Sequence, residues 1–255
     1  MTGYRAILEK EMVELWRSYR LVITCGLFTA LGVALPILVR YLRGITRLFG
    51  QLDPELAVGK TGVPDVVEAL VKALWLLGPL AAVLLTMGSV TAERRARTAA
   101  FVLSKPVGRA AFIWAKFVAV ALVLALATAL AVVSTWLYVG ILYTPQPPFA
   151  WVQLWLLAWL AGLVFEAITL AASVSLRSAS GAAAIGLTAF GGITLASTVV
   201  TLNHWLPTGL GEGAQALVLG ELGGDVDPFQ TVLVSVALLA AALVVAWVRF
   251  ERTDL

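Results

Sequence analysis

"FVAVALVLALATALAVVSTWLYVG", Phe117 to Gly140, carries no charged side chain anywhere along its length. A helix rises about 1.5 Å per residue, so about 20 apolar residues cross the ~30 Å hydrocarbon layer of a bilayer. A strand of a membrane barrel would alternate apolar and polar residues, whereas this stretch is apolar on every face. It therefore reads as the core of a transmembrane helix.

Working outward, the same test finds six spans: Leu21 to Val39, Ala73 to Val90, Phe117 to Tyr143, Trp151 to Leu176, Ala182 to Leu202 and Phe229 to Val248. The whole chain of 255 residues is 60% hydrophobic and 13% charged, with a mean hydropathy of +0.94. Such a chain has too little polar surface to cover a soluble domain. The expected class is an all-α, polytopic membrane protein: six transmembrane helices in a single domain, 1–255, preceded by an amphipathic interfacial helix over 1–20. Arg40 follows the first span directly and no short apolar region with a small-residue cleavage site precedes it, so that span reads as a retained helix. One cysteine, Cys25, and one histidine, His204, exclude an internal disulfide and a Cys/His zinc cluster.

Charge distribution sets the expected orientation. Thirteen Lys and Arg fall on the side of the termini: Arg5, Lys10, Arg17, Arg20, Arg94, Arg95, Arg97, Lys105, Arg109, Lys116, Arg177, Arg249 and Arg252. Five fall on the other, Arg40, Arg43, Arg47, Lys60 and Lys72, all in the first loop and among four acids. Lys and Arg favour the cytoplasmic side, which predicts a multi-pass protein of the cytoplasmic membrane with both termini inside. Tyr4, Leu8, Met12, Leu15, Trp16 and Tyr19 share one helical face, with Ile7 and Val13 off it and Arg5 intruding. That pattern suits a helix in the membrane interface; an ordinary helix packed on the protein is the alternative. The region 203–228 is an external loop with acids but no Lys or Arg, and its "AQALVLGEL" portion, too short to span, reads as an interfacial or re-entrant helix.

Two motifs resemble catalytic ones and fail on their surroundings. "PELAVGKT", Pro54 to Thr61, ends like a phosphate-binding loop, but Pro54 replaces the first glycine and no strand precedes it. "RSASG", Arg177 to Gly181, resembles the serine sequence of an intramembrane protease with His204 as base. Ser180 and His204 flank opposite ends of the fifth span, however, and nucleophilic catalysis needs about 3 Å between them. A polar turn between closely packed helices is the better reading. No catalytic constellation remains, so the chain is not expected to be an enzyme.

Glu166 lies well inside the fourth span, where an acid costs a few kcal/mol unless it is paired or hydrated. It shares a face with Trp155, Trp159, Gly162, Thr169, Ser173 and Arg177, which should point to protein or a cavity. Glu166, Thr169 and Ser173 either line a substrate or proton path or hold helices together. In the fifth span Gly181, Ala184, Thr188 and Gly192 form one small-residue face, with Ala182 and Gly186 nearby. Small residues allow close helix contact, either between subunits or within the bundle.

Between the second and third spans, "TAERRARTAAFVLSKPVGRAAFIWAK" concentrates charge that must lie outside the hydrocarbon. Its first half favours a helix, which Pro106 would end near Ser104. Phe101, Val102 and Leu103 form an apolar patch ringed by Glu93, Arg94, Arg95 and Arg109, a pattern that suits docking of another protein.

Glu93, Thr98, "VLSKPVGR" and then Lys116 opening a span together resemble the E-x-x-x-G-T…LLS-x-P-[VS]-x-R…K signature of type 2 ABC transporter permeases, although Arg97 stands where that family has Gly. "LAASVSLRSASGAAAIGL" is similar to the family's serine-containing turn between the fourth and fifth spans, and "FERTDL" to its F-x-R-x-D-L ending. The resemblance covers the whole chain. It implies the membrane subunit of an ATP-driven exporter, paired with a second permease copy or paralogue and bound to two cytoplasmic ATPase subunits. It also implies that 91–116 holds the coupling helix, with Glu93, Arg94, Arg95, Thr98, Phe101, Leu103, Pro106 and Arg109 meeting the ATPase. ATP and magnesium would then belong to the partner, no cofactor or metal to this chain, and membrane lipids rather than nucleic acid to its surroundings. The rival expectations are a proton-coupled secondary transporter working through Glu166 and an assembly or sensory membrane protein.

Overall fold

A computed structural model describes residues 2–48, 62–91, 109–176, 178–198, 205–220 and 228–252. Among these residues there are eight helices and no strand. In chain order they are α1 (Thr2–Arg17), α2 (Arg20–Leu48), α3 (Val63–Thr86), α4 (Arg109–Leu142), α5 (Pro148–Ser175), α6 (Ala179–Ala196), α7 (Gly209–Leu219) and α8 (Pro228–Glu251). Six of them, α2, α3, α4, α5, α6 and α8, are long and apolar enough to cross a membrane.

α5 is the central post. It packs against α3, α4, α6, α7 and α8, whereas α2 leans mainly on α4. The outer helices α2, α6 and α8 keep much of their apolar surface outside the bundle. With hydrocarbon as solvent, that exposure carries no hydrophobic penalty, and association rests on packing and polar contacts.

One such contact shows how the bundle tolerates a helix breaker. Pro36 sits inside α2 and has no amide hydrogen, so the carbonyl four residues earlier, on Gly32, loses its helical donor. The Thr135 hydroxyl of α4 shares its hydrogen between that Gly32 oxygen at 3.1 Å and the Ala131 carbonyl of its own helix at 2.8 Å. The two helices approach so closely there that a Cβ on Gly32 would overlap Ser134 Oγ and the Ala131 carbonyl. At the same end the Tyr143 hydroxyl donates to the Pro36 carbonyl at 3.3 Å, and the Arg40 guanidinium lies 5.7 Å from the Tyr143 ring centre.

Helix ends differ from the hydropathy-based spans in both directions: α3 stops at Thr86, short of Val90, and α6 at Ala196, short of Leu202, while others run further. α2 continues to Leu48 rather than stopping at Val39, and α3 begins at Val63, ahead of the expected Ala73. The added part of α3 is amphipathic: Val66, Val67, Leu70 and Val71 are buried while Asp65, Glu68 and Lys72 face outward. α4 begins at Arg109 instead of Phe117. The short helix expected near "AQALVLGEL" is α7, which starts at Gly209 and buries its glycine-rich first turns against α3 and α5. Gly211 lies there against Val71 and the Trp75 ring, too close for a side chain without displacement.

α1 packs differently from its expected stripe. Ile7, placed off the stripe, is buried together with Glu11 and Leu15, whereas Trp16 and Tyr19 are exposed. The helix therefore lays the Ile7–Glu11–Leu15 edge on the bundle and turns its aromatic end away. Tyr19 ends it with φ +58°, the left-handed conformation that glycine usually supplies, at a cost of about 1–2 kcal/mol for another residue.

Candidate functional site

The end of the bundle that carries α1 also carries both roots of segment 92–108. On the first root Thr91 and Val90 are buried, and the Val90 amide donates to Ser173 Oγ of α5 at 3.3 Å. Ser173 in turn donates to the Met87 carbonyl at 3.2 Å, so one hydroxyl pins the end of the α3 segment to α5. On the second root Phe112 of α4 is fully buried and stacks on Phe250 of α8, with ring centres 5.4 Å apart. Ile7, Val90, Leu170, Val174 and Ala246 join this apolar cluster, which draws on α1, α4, α5, α8 and the turn after α3.

Two turns into α4, the Lys116 side chain is 2% exposed and its Nζ lies 2.8 Å from Glu11 Oε1 of α1, which is 10% exposed. The same ammonium lies 5.0 Å from the Phe112 ring centre. Lys10, half exposed, approaches Glu11 at 3.3 Å and Glu14 at 3.8 Å. Removing two charges from water costs several kcal/mol per ion, which only close geometry offsets. The Glu11–Lys116 pair has that geometry, and it bolts α1 onto the helix that leaves segment 92–108. Sequence reasoning missed Glu11. It sits in "EKEMVE", which reads as a solvated charge run, and its partner lies 105 residues away.

Of the expected coupling residues, Glu93, Arg94, Arg95, Thr98, Phe101, Leu103 and Pro106 lie outside the described residues. Arg109 is the first residue of α4. The "PELAVGKT" stretch and His204 also fall outside, while Ser178 of "RSASG" caps α6, its hydroxyl accepting from the Gly181 amide at 3.1 Å.

Within the membrane-spanning part, Glu166, Thr169 and Ser173 are all fully buried on α5. Trp155 and Trp159 of the same face donate their indole N–H groups to the Ala125 and Ala121 carbonyls of α4, at 3.0 and 2.9 Å. That face points to protein. The three polar groups nevertheless differ. Thr169 donates to the Phe165 carbonyl at 2.7 Å and Ser173 braces α3, but neither carboxylate oxygen of Glu166 has a hydrogen-bond partner among the described residues. Gly186 of α6 packs against this region, where a Cβ would overlap Thr169 Oγ1 and Val83 of α3; a turn away Phe165 and Phe190 meet edge to face at 5.4 Å.

The small residues of α6 divide between two sides. Ala182 and Gly186 are buried in the bundle, whereas Ala184, Thr188 and Gly192 are exposed, with Gly181 at the margin. The Gly181–Ala184–Thr188–Gly192 face thus looks out of the bundle. Two apolar grooves open elsewhere: about 490 Å³ between α4 and α8, bounded by Trp114 and Trp247, and about 330 Å³ between α4 and α5, beside Trp136, Trp151 and Trp155.

Six membrane-length apolar helices, with α3, α4, α6 and α8 packed on the central α5 and α2 held through α4, describe a polytopic membrane protein rather than an isolated anchor. Residues 5–255 match the ABC-2 family transporter protein family, and the chain belongs to it. It is also 27% identical over 260 residues to the uncharacterized transmembrane protein YxlG of Bacillus subtilis (strain 168), an alignment covering 98% of this chain and 97% of that protein.

Proposed function

We propose that this chain is the permease subunit of an ATP-driven exporter, working in the cytoplasmic membrane with a second permease copy or paralogue and two cytoplasmic ATPase subunits. The observation that carries this reading is the double anchoring of segment 92–108. Its first root is tied to the central helix through Val90, Met87 and Ser173, and its second to α1 and α8 through Lys116 and Phe112. A segment held so at both ends transmits displacement instead of absorbing it.

In this mechanism ATP and magnesium act in the partner, and this chain catalyses no reaction. Phe101 and Leu103 supply apolar anchors on the ATPase, since buried aromatic groups dominate binding, while Glu93, Arg94, Arg95 and Arg109 set its orientation. Thr98 and Pro106 belong to the same docking segment. When the ATPase pair closes on ATP, the segment moves; α3 and α4 move with it, and α5 shifts between them. The outward small-residue face of α6, Gly181 to Gly192, suits contact with the second permease.

A second reading has its own observation in Glu166, a buried acid whose oxygens lack hydrogen-bond partners among the described residues. In a proton-coupled transporter that carboxyl would carry the proton along a path including Thr169 and Ser173. The two readings separate in proteoliposomes containing the purified complex. The exporter hydrolyses ATP and transports only with ATP and its partner present. Transport by the chain alone, driven by a pH gradient and abolished by Glu166→Gln, would instead establish the proton path.

A further inference from the structure

The elbow between α1 and α2 combines features that neither the transport reading nor the bundle's packing uses. Trp16 is 62% exposed and Tyr19 68%, and Ile23 and Leu27, one turn apart at the start of α2, are 67% and 53% exposed. Arg17 and Arg20 are exposed beside them. The nearest acid along α1, Glu14, already lies 3.8 Å from Lys10. Tyr19 holds a left-handed backbone where glycine would be easier, and that conformation keeps an aromatic ring turned out of the protein.

Position decides what covers this surface. α1 is bolted across the end of the bundle by Glu11–Lys116, and α2 is a membrane-crossing helix, so the elbow lies where the spans meet the headgroups. Trp and Tyr favour that layer, and guanidinium groups there meet phosphate. Ile23 and Leu27 continue the same surface into the hydrocarbon-facing side of α2. A soluble partner would satisfy the two arginines but leave that apolar ridge unmatched; a phospholipid matches both.

We propose that the α1–α2 elbow is a binding site for an anionic phospholipid of the adjoining leaflet. Its phosphate lies between Arg17 and Arg20, its headgroup rests against Trp16 and Tyr19, and an acyl chain runs along Ile23 and Leu27. This inference holds whether or not an ATPase binds at the other segment.

The test uses the full-length protein in phosphatidylcholine vesicles doped with brominated phosphatidylglycerol or with brominated phosphatidylcholine. The Trp16 signal is read as the difference between the protein and its Trp16→Phe variant. Each basic side chain near an anionic surface is worth about a fivefold preference, so the brominated anionic lipid should reach half-quenching at a roughly ten- to thirtyfold lower mole fraction. In R17Q/R20Q, whose substitutions are exposed and should leave circular dichroism and gel filtration unchanged, the two lipids should quench alike. Equal quenching in the unsubstituted protein, a preference that survives R17Q/R20Q, absence of Trp16 quenching because protein covers the elbow, or complete relief of quenching by inorganic phosphate would each overturn the proposal.

Discussion

Lys116→Met tests the junction through its most buried charge. The substitution keeps the unbranched apolar stem, one atom shorter, and removes the ammonium, so among the described residues Glu11, 10% exposed, is left with Lys10 at 3.3 Å. Breaking one side of a buried pair costs about 3–5 kcal/mol. Lys10 is half exposed and screened by solvent, so it recovers part of this, and the expected loss is about 2–4 kcal/mol. At roughly 2–4 °C per kcal/mol for a chain of this size, the midpoint of thermal unfolding in detergent should fall by about 4–16 °C. Glu11→Leu/Lys116→Met removes both charges together and should return to within about 1 kcal/mol of the parent, because an apolar pair of similar volume replaces an ion pair at little net cost. Single variants that leave the midpoint unchanged, or a double variant that falls by the sum of the two, would refute the clasp.

Other parts of the bundle make separate predictions. Thr135→Val leaves the Gly32 carbonyl without its donor beside Pro36, and should cost about 0.6–2 kcal/mol in unfolding measurements, whereas Thr194→Val, at an exposed site, should cost almost nothing. Gly186→Val forces a side chain into Thr169 and Val83 and should lower stability by about 1–3 kcal/mol; Ala184→Val, on the outward face of the same helix, should leave unfolding unchanged and weaken subunit association in crosslinking. Glu166→Leu removes no hydrogen bond among the described residues and should unfold within about 1 kcal/mol of the parent, so lost transport in a variant of normal stability would assign Glu166 to function.

How far the sequence exposed this fold depended on whether each feature has a local cause. The six spans were legible because hydrocarbon thickness fixes the length of an apolar run, and each overlaps one of α2, α3, α4, α5, α6 and α8, with the ends displaced by up to about ten residues. The amphipathic start of α3 was not, because Asp65, Glu68 and Lys72 dilute hydropathy although Val66, Val67, Leu70 and Val71 still bury one face. The inward face of α5 was legible, since Glu166, Thr169 and Ser173 stand out on an apolar helix. On α6 small residues occupy both sides, so a helical wheel could not tell Gly186, wedged against Thr169, from Gly192, which looks outward. The resemblance marked Lys116, but its partner Glu11 depends on how α1 lies across α4, which no spacing encodes.

The central claim is that segment 91–116 joins these helices to an ATPase, and the most direct measurement is how much ATPase stays bound when that surface is cut. Full-length protein, Phe101→Ala and Arg94→Ala should be purified from the same membranes and their bound ATP hydrolysis measured per permease. The parent should carry stoichiometric ATPase; Phe101→Ala should lose about tenfold or more and Arg94→Ala only a few-fold, since a central aromatic anchor outweighs a rim charge. Full retention of hydrolysis by Phe101→Ala, or no ATPase bound to the parent, would contradict the account.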